Sequence, residues 1–138
     1  MLSAGKNHLQ VTAALIFYGD RVLIAQRRPG TRHAGQWEFP GGKQEPDESL
    51  KDCLAREIKE ELNLDIDVGG HFISVDHDYD DFSLTLHGFF CRPRDKDTRA
   101  LTNGAWIWVK FHELKGYDLL PADRLIAAAL ESSFCTCR

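Results

Sequence analysis

Apolar and polar positions along the chain change period several times, and each change marks an element. Residues 8–18, HLQVTAALIFY, are apolar and β-branched and predict a strand; the Gly19-Asp20 turn signal and RVLIAQ (21–26) predict its returning partner. Glu38-Phe39 predicts a short strand ahead of the turn Pro40-Gly41-Gly42. From Asp47 to Leu62 the period becomes helical, because Leu50, Leu54, Ile58 and Leu62 recur every four residues. Pro46-Asp47-Glu48 supplies a start with acids in the first turn, and Asn63 stands at the end, where a left-handed residue is wanted. Strand patterns return at 65–68, 71–75 and 82–91, with an acidic turn over 76–81. After a charged loop (92–99) comes a strand at 105–111. Pro121-Ala122-Asp123 then opens a last helix over 124–132, whose alanines are strong helix formers. No repeat, linker or low-complexity segment interrupts the order. One domain over residues 1–138 is expected, an α/β sandwich of α/β/α type around a mixed central sheet.

Composition narrows the class without fixing it. At 138 residues, 43% hydrophobic and 28% charged, the chain can bury a core without staples. A net charge of −4 argues against polymeric nucleic acid or an anionic membrane as partner, while a small phosphorylated ligand stays possible. No run reaches the ~18 apolar residues of a membrane span, and the polar start MLSAGKNHLQ has no signal-peptide core, so the cytoplasm is the expected compartment. Cys53 and Cys91 fall in apolar patterns, where cysteine behaves as a small hydrophobe; Cys135 and Cys137 read as a frayed tail, with soft-metal binding or oxidation as the alternative.

The chemistry concentrates beside the first helix. Glu57, Glu60 and Glu61 stand at i, i+3 and i+4 and fan out next to the apolar stripe, an arrangement that costs a helix stability unless something positive sits between them. A divalent cation is the simple candidate; a solvated charged face is the plain alternative. Arg27, Arg28 and Arg32 with His33 form a basic, turn-rich loop, either solvated or an anion clamp.

The run Gly42-x5-Glu48-x7-Arg56-Glu57-Ile58-x-Glu60-Glu61-x-Asn63-Leu64 closely resembles the Nudix box, GX5EX7REUXEEXGU, with U aliphatic. Eight of its nine specified positions match, and Asn63 replaces the last glycine. The lead-in WEFPGGK (37–43), the arginine after the second strand and the ending Leu120-Pro121-Ala122-Asp123-Arg124 are similar to the MutT-type subgroup. This resemblance covers most of residues 8–130, with the box at 42–64. It implies a Nudix-fold α/β/α sandwich and hydrolysis of a nucleoside diphosphate linked to another group, dependent on Mg²⁺ or Mn²⁺.

By the same resemblance, Glu57, Glu60 and Glu61 with the Gly41 carbonyl would ligate the metal, and one glutamate would act on the attacking water. Arg56 would orient the acids and Glu48 brace the loop; Arg27 and Lys43 would meet phosphate oxygens. Asp123 occupies the position that reads the base edge, or else caps the last helix. Phe39 and Tyr79 are candidates to pack on the base, or else ordinary aromatics. An ionised Asp123 suits the two adjacent donors of guanine or 8-oxoguanine, whereas a protonated one suits cytosine or adenine. The family's further glutamate before the late tryptophan strand is replaced here by Thr102, followed by Asn103, which leaves Glu113 or Asp80 to substitute or the helix to supply every carboxylate. The expected activity is a pyrophosphohydrolase of oxidised or modified purine or cytosine nucleotides, with a sanitising role following from the family. A non-catalytic nucleotide-binding module and a hydrolase of other nucleoside diphosphate derivatives are the alternatives. The expected assembly is a monomer or a homodimer.

Overall fold

Alternation along one strand explains the layering. In the computed structural model, which describes residues 7–94 and 105–134, the first strand β1 spans Asn7–Tyr18. Its Ala13 and Leu15 enter one core cluster, and Ala14 and Ile16 enter the other. Successive side chains point to opposite faces, so a strand apolar at every position must be covered on both sides. The second strand, β2 (Arg21–Gln26), repeats the division, with Val22 and Ile24 on one side and Leu23 on the other.

The remaining elements are β3 (Trp37–Glu38), α1 (Leu50–Leu62), β4 (Ile66–Asp78), β5 (Phe82–Pro93), β6 (Trp106–Lys110), a 3₁₀ turn (Phe111–Gly116) and α2 (Pro121–Phe134). The mixed sheet runs β3-β2-β1-β5-β4, with β6 paired to β2; β1 and β5 are parallel and the other pairs antiparallel. α1 covers one face through Leu54, Ile58 and Leu62, and α2 covers the other through Ile126, Ala127 and Leu130. This is the expected α/β/α sandwich. Leu54 and Ile58 are fully buried, so truncating either to alanine would cost about 2–5 kcal/mol. Among the described residues no helix is long and apolar enough to cross a membrane.

Three boundaries differ from expectation for local reasons. α1 starts at Leu50 and not at Asp47, because Asp47 sits at φ 69°, which a right-handed helix cannot use. Ser49 caps instead, accepting the Asp52 N–H at 3.0 Å. The two strands expected at 65–68 and 71–75 are one strand, in which Gly69-Gly70 forms a bulge. That strand also runs on through Asp76 to Asp78, because alternate polar side chains face outward; Asp76 accepts a bond from the Thr85 hydroxyl at 2.6 Å. Asn63 closes α1 at φ 52°, as its place in the sequence predicts. Thr102, Asn103, Cys135 and Cys137 lie outside the described residues.

Candidate active site

The segment after β3 carries the site because it is laid along β1. Ala14 N–H donates to the Pro40 carbonyl, Thr12 N–H to Gly42 and Gln44 N–H to Gln10. The Pro40 and Gly42 carbonyls therefore point into β1, and alternation turns the Gly41 and Lys43 carbonyls away from that strand. The Lys43 carbonyl accepts from Arg56 Nη2 at 3.3 Å, which shows that this outward edge faces the box helix. Two glycines are required here by close approach. A Cβ on Gly41 would lie 1.9 Å from the Thr12 carbonyl oxygen, and one on Gly42 would lie 2.2 Å from the Glu57 carboxyl carbon.

Arg56 organises the acids. Its Nε lies 3.1 Å from both Glu48 oxygens, its Nη2 3.0 Å from Glu48, and its Nη1 3.0 Å from Glu57 and 3.3 Å from Glu60. The paired carboxylate holds Arg56 firmly charged, and Arg56 in turn holds Glu48 below the usual carboxylate range. Glu61 lies beyond the reach of this clamp. Desolvation at the inner end of the groove comes first, then the charge of Glu57 and a carboxyl–carboxyl hydrogen bond to it; together they push Glu61 up to about 8. The residue as a whole remains exposed on its outer side. The donor set is all hard oxygen with an excess of negative charge, which fits a divalent cation. As the side chains stand, no three His, Cys, Asp or Glu groups among the described residues converge on one point, Glu57 and Glu60 being turned onto Arg56.

Beside Glu61 opens a cavity of about 440 Å³. Arg27, Phe39, Gly41, Lys43, Glu61, Tyr79 and Asp123 all line it, so the structure brings together residues far apart in the chain. Glu60 and Glu61 line an adjoining groove with Arg27, Arg28 and Glu38, and Glu57 lines a cleft on the other side of Lys43. Arg56 lines none of these hollows and acts from behind the acids. A larger groove of about 820 Å³ lies at the far end of β1, beside Tyr18 and Gly69, and contains none of the predicted site residues.

The cavity is closed by three bonds lacing β3 to the start of α2. Trp37 N–H donates to the Asp118 carbonyl, Leu120 N–H to Trp37, and Phe39 N–H to Asp123 Oδ2 at 2.9 Å. Asp123 thus binds another segment and is no simple cap. It is 5% exposed. Burial and then the charge of Glu38 push its carboxyl up to about 8, against the Phe39 N–H and its own backbone N–H, which favour the ionised form. Tyr79 receives a backbone hydrogen bond from Ala122 and stacks on Phe82, with ring centroids 5.1 Å apart. Phe39 is almost fully buried and presents itself to the cavity from the core.

Sequence reasoning missed Glu38 and Phe82 as lining residues, while Arg32 and His33 of the basic loop do line the cavity. Glu38 pairs with Arg27 at 3.3 Å, and burial raises its pKa; its one signal was its place in the WEFPGGK lead-in. Arg32 bonds Asp81 at 2.5 Å across the mouth, joining the loop after β2 to the β4–β5 turn. Neither proposed substitute for the absent glutamate enters the cavity. Glu113 accepts the Lys110 N–H at the 3₁₀ turn, and Asp80 is exposed on the β4–β5 turn.

Known proteins share this architecture. A family model described as NUDIX domain matches residues 12–129. The CTP pyrophosphohydrolase of Escherichia coli (strain K12) is 36% identical over 115 residues, covering 83% of this chain and 85% of that protein. A Mycobacterium tuberculosis (strain ATCC 25618 / H37Rv) protein with the provisional name 8-oxo-dGTP diphosphatase 2 is 39% identical over 120 residues, 83% of this chain and 82% of its own. The crystal structure of the MutT protein from Methanosarcina mazei Go1 superposes with a TM-score of 0.81 at 25% identity, covering 95% of this chain and 98% of that one.

Proposed function

The chain belongs to the Nudix hydrolase family, and on that premise we propose that it is a nucleoside triphosphate pyrophosphohydrolase acting on cytosine or oxidised purine nucleotides. The observation that carries this proposal is the junction at Glu61, where the Arg56-held glutamate edge meets a cavity that ends in a buried acid. Nudix hydrolases generally need a divalent metal. Here Mg²⁺, or Mn²⁺ in its place, would be held by Glu57, Glu60, Glu61 and the Gly41 carbonyl, and when bound it neutralises charge on the phosphate oxygens. Arg56 holds Glu57 and Glu60 in place through its ion pairs. A glutamate of this edge accepts a proton from the attacking water. The new P–O bond forms as the bridging P–O bond breaks, releasing the monophosphate and diphosphate. Lys43 and Arg27 bind phosphate oxygens from the cavity wall.

Base choice falls to Asp123. With its carboxyl pushed up to about 8, it carries a proton near neutral pH and can both donate and accept. That suits the amino donor and adjacent ring acceptor of cytosine better than the two donors of guanine, and it accords with the name of the Escherichia coli relative. The test is a nucleotide panel with Mg²⁺, scoring diphosphate against phosphate release for wild type and Glu60→Gln. Diphosphate release that collapses in the variant is expected. Phosphate release alone, or an unaffected variant, would sink the mechanism. Tight nucleotide binding without turnover would make the protein a binding module.

A further inference from the structure

Among the described residues, Thr12 and Asp123 are the two polar side chains that are buried. Both residues line the cavity, and Thr12, in the middle of β1 at 1% exposure, is a polar side chain where the strand is otherwise apolar. Valine would fill the same volume in a strand otherwise apolar at this point, and a buried hydroxyl costs stability unless it is bonded. Its backbone and side-chain donors both reach one atom. The Thr12 N–H donates to the Gly42 carbonyl at 2.8 Å and its hydroxyl to the same carbonyl at 3.1 Å. The Cys53 thiol approaches that carbonyl at 3.6 Å and the Thr12 hydroxyl at 3.5 Å. Three donors from β1 and α1 converge on a single glycine carbonyl.

We propose that Thr12 is a positioning residue for the Gly41-Gly42 backbone: by fixing the Gly42 carbonyl towards β1, it holds the Gly41 carbonyl towards Glu57. The alternation of the segment makes the coupling direct, since turning one carbonyl inward turns its neighbour outward. Glycines do not hold such an orientation by themselves, because each has more backbone freedom than any other residue. The Thr12 N–H alone gives the Gly42 carbonyl one bond about which the peptide can rock. The hydroxyl adds a second, and the Thr12 carbonyl packs where a Gly41 Cβ would be.

This inference rests on the metal-dependent mechanism above, and the experiment separates their failures. Mn²⁺ affinity is measured by electron paramagnetic resonance on wild type, Thr12→Val, Thr12→Ser and Glu57→Gln, followed by steady-state kinetics. Loss of a group that orients a metal ligand costs about 10-fold in affinity. Thr12→Val is therefore expected to bind Mn²⁺ about 10-fold more weakly and to lose kcat with little change in KM, while Thr12→Ser recovers both. Should Thr12→Val not fold, Thr12→Ala replaces it, with the same expectation. Wild-type Mn²⁺ affinity in the hydroxyl-free variant, or a Thr12→Ser variant as weak as Thr12→Val, would overturn the role of Thr12. A wild type whose Mn²⁺ binding ignores Glu57→Gln would overturn the metal site itself.

Discussion

The glutamate edge of α1 and the cavity beside it meet at Glu61, and they are put together in opposite ways. Every group of the edge comes from the single stretch Gly41–Glu61, and one side chain, Arg56, touches Glu48, Glu57, Glu60 and the Lys43 carbonyl. The cavity draws on the loop after β2, on β3, on the β4–β5 turn and on the start of α2. Their electrostatics differ as well. Glu57 and Glu60 of the edge are ion-paired to Arg56, whereas Glu61 at the junction and Glu38 and Asp123 in the cavity are withdrawn from water and shifted up. On the proposed reading, the reaction is built from adjacent residues on one helix, and selectivity from separate segments that the fold brings together.

The most damaging change should be confined to the first region. Glu57→Gln keeps the shape of the side chain that packs on Gly42 and removes its charge, so kcat/KM is expected to fall about 10²–10³-fold. The ranking of nucleotides in the same steady-state panel should not move. If it does, the two regions are not separable and the comparison breaks.

That separation also explains what could be read from residues alone. The box helix was legible because its spacing is local: Leu50, Leu54, Ile58 and Leu62 define the buried stripe, and the glutamates beside it define the edge. Its start was misjudged because Asp47 and Glu48 look like first-turn acids, and only a backbone angle and the Arg56–Glu48 pair show that they belong to the loop. Gly69-Gly70 read as a break for a similar reason, since a bulge and a turn want the same residue. In the cavity, Arg27, Phe39, Lys43, Tyr79 and Asp123 were found through a family resemblance. Phe82 was not, and Arg32 was read only as part of a basic loop, because nothing in the local pattern signals its pairing with Asp81 and Phe82 across the mouth. The choice between an ionised and a protonated Asp123 was left open, because the upward shift of its carboxyl comes from burial and from Glu38, which only the folded chain brings near.

A change in the second region should reverse the signature of Glu57→Gln. Asp123→Asn retains an acceptor for the Phe39 N–H and replaces a titrating donor with a permanent one. Base selectivity is expected to shift by up to about 10-fold, with Mn²⁺ affinity unchanged. The pH dependence sharpens this. Wild-type selectivity should change as pH rises through about 8 and the carboxyl loses its proton, and the variant should stay flat. Stability follows the same sign. The folded pKa lies above the ordinary 3.8, so the contribution of this group is fully present below 3.8 and is lost as pH rises towards about 8. Thermal melts should therefore show Asp123→Asn gaining on wild type between pH 5 and pH 8. An unmoved selectivity with the predicted melts would leave Asp123 as a brace between β3 and α2.

The smallest effect tests whether the box departs from its family in chemistry or only in backbone. Asn63 holds φ 52° at the end of α1, and its N–H bonds the Lys59 carbonyl. It follows the buried Leu62 and makes no contact with the glutamate edge or the cavity among the described interactions. Glycine relieves the left-handed strain but raises the entropy of the unfolded chain, so the two terms partly cancel. Asn63→Gly should gain about 0.5 kcal/mol, a rise of about 2 °C in Tm, measured by calorimetry. Its kcat and nucleotide ranking should match wild type. A change in kcat would mean that the helix end sets the position of Glu60 and Glu61, and the edge would then extend one residue beyond the acids that define it.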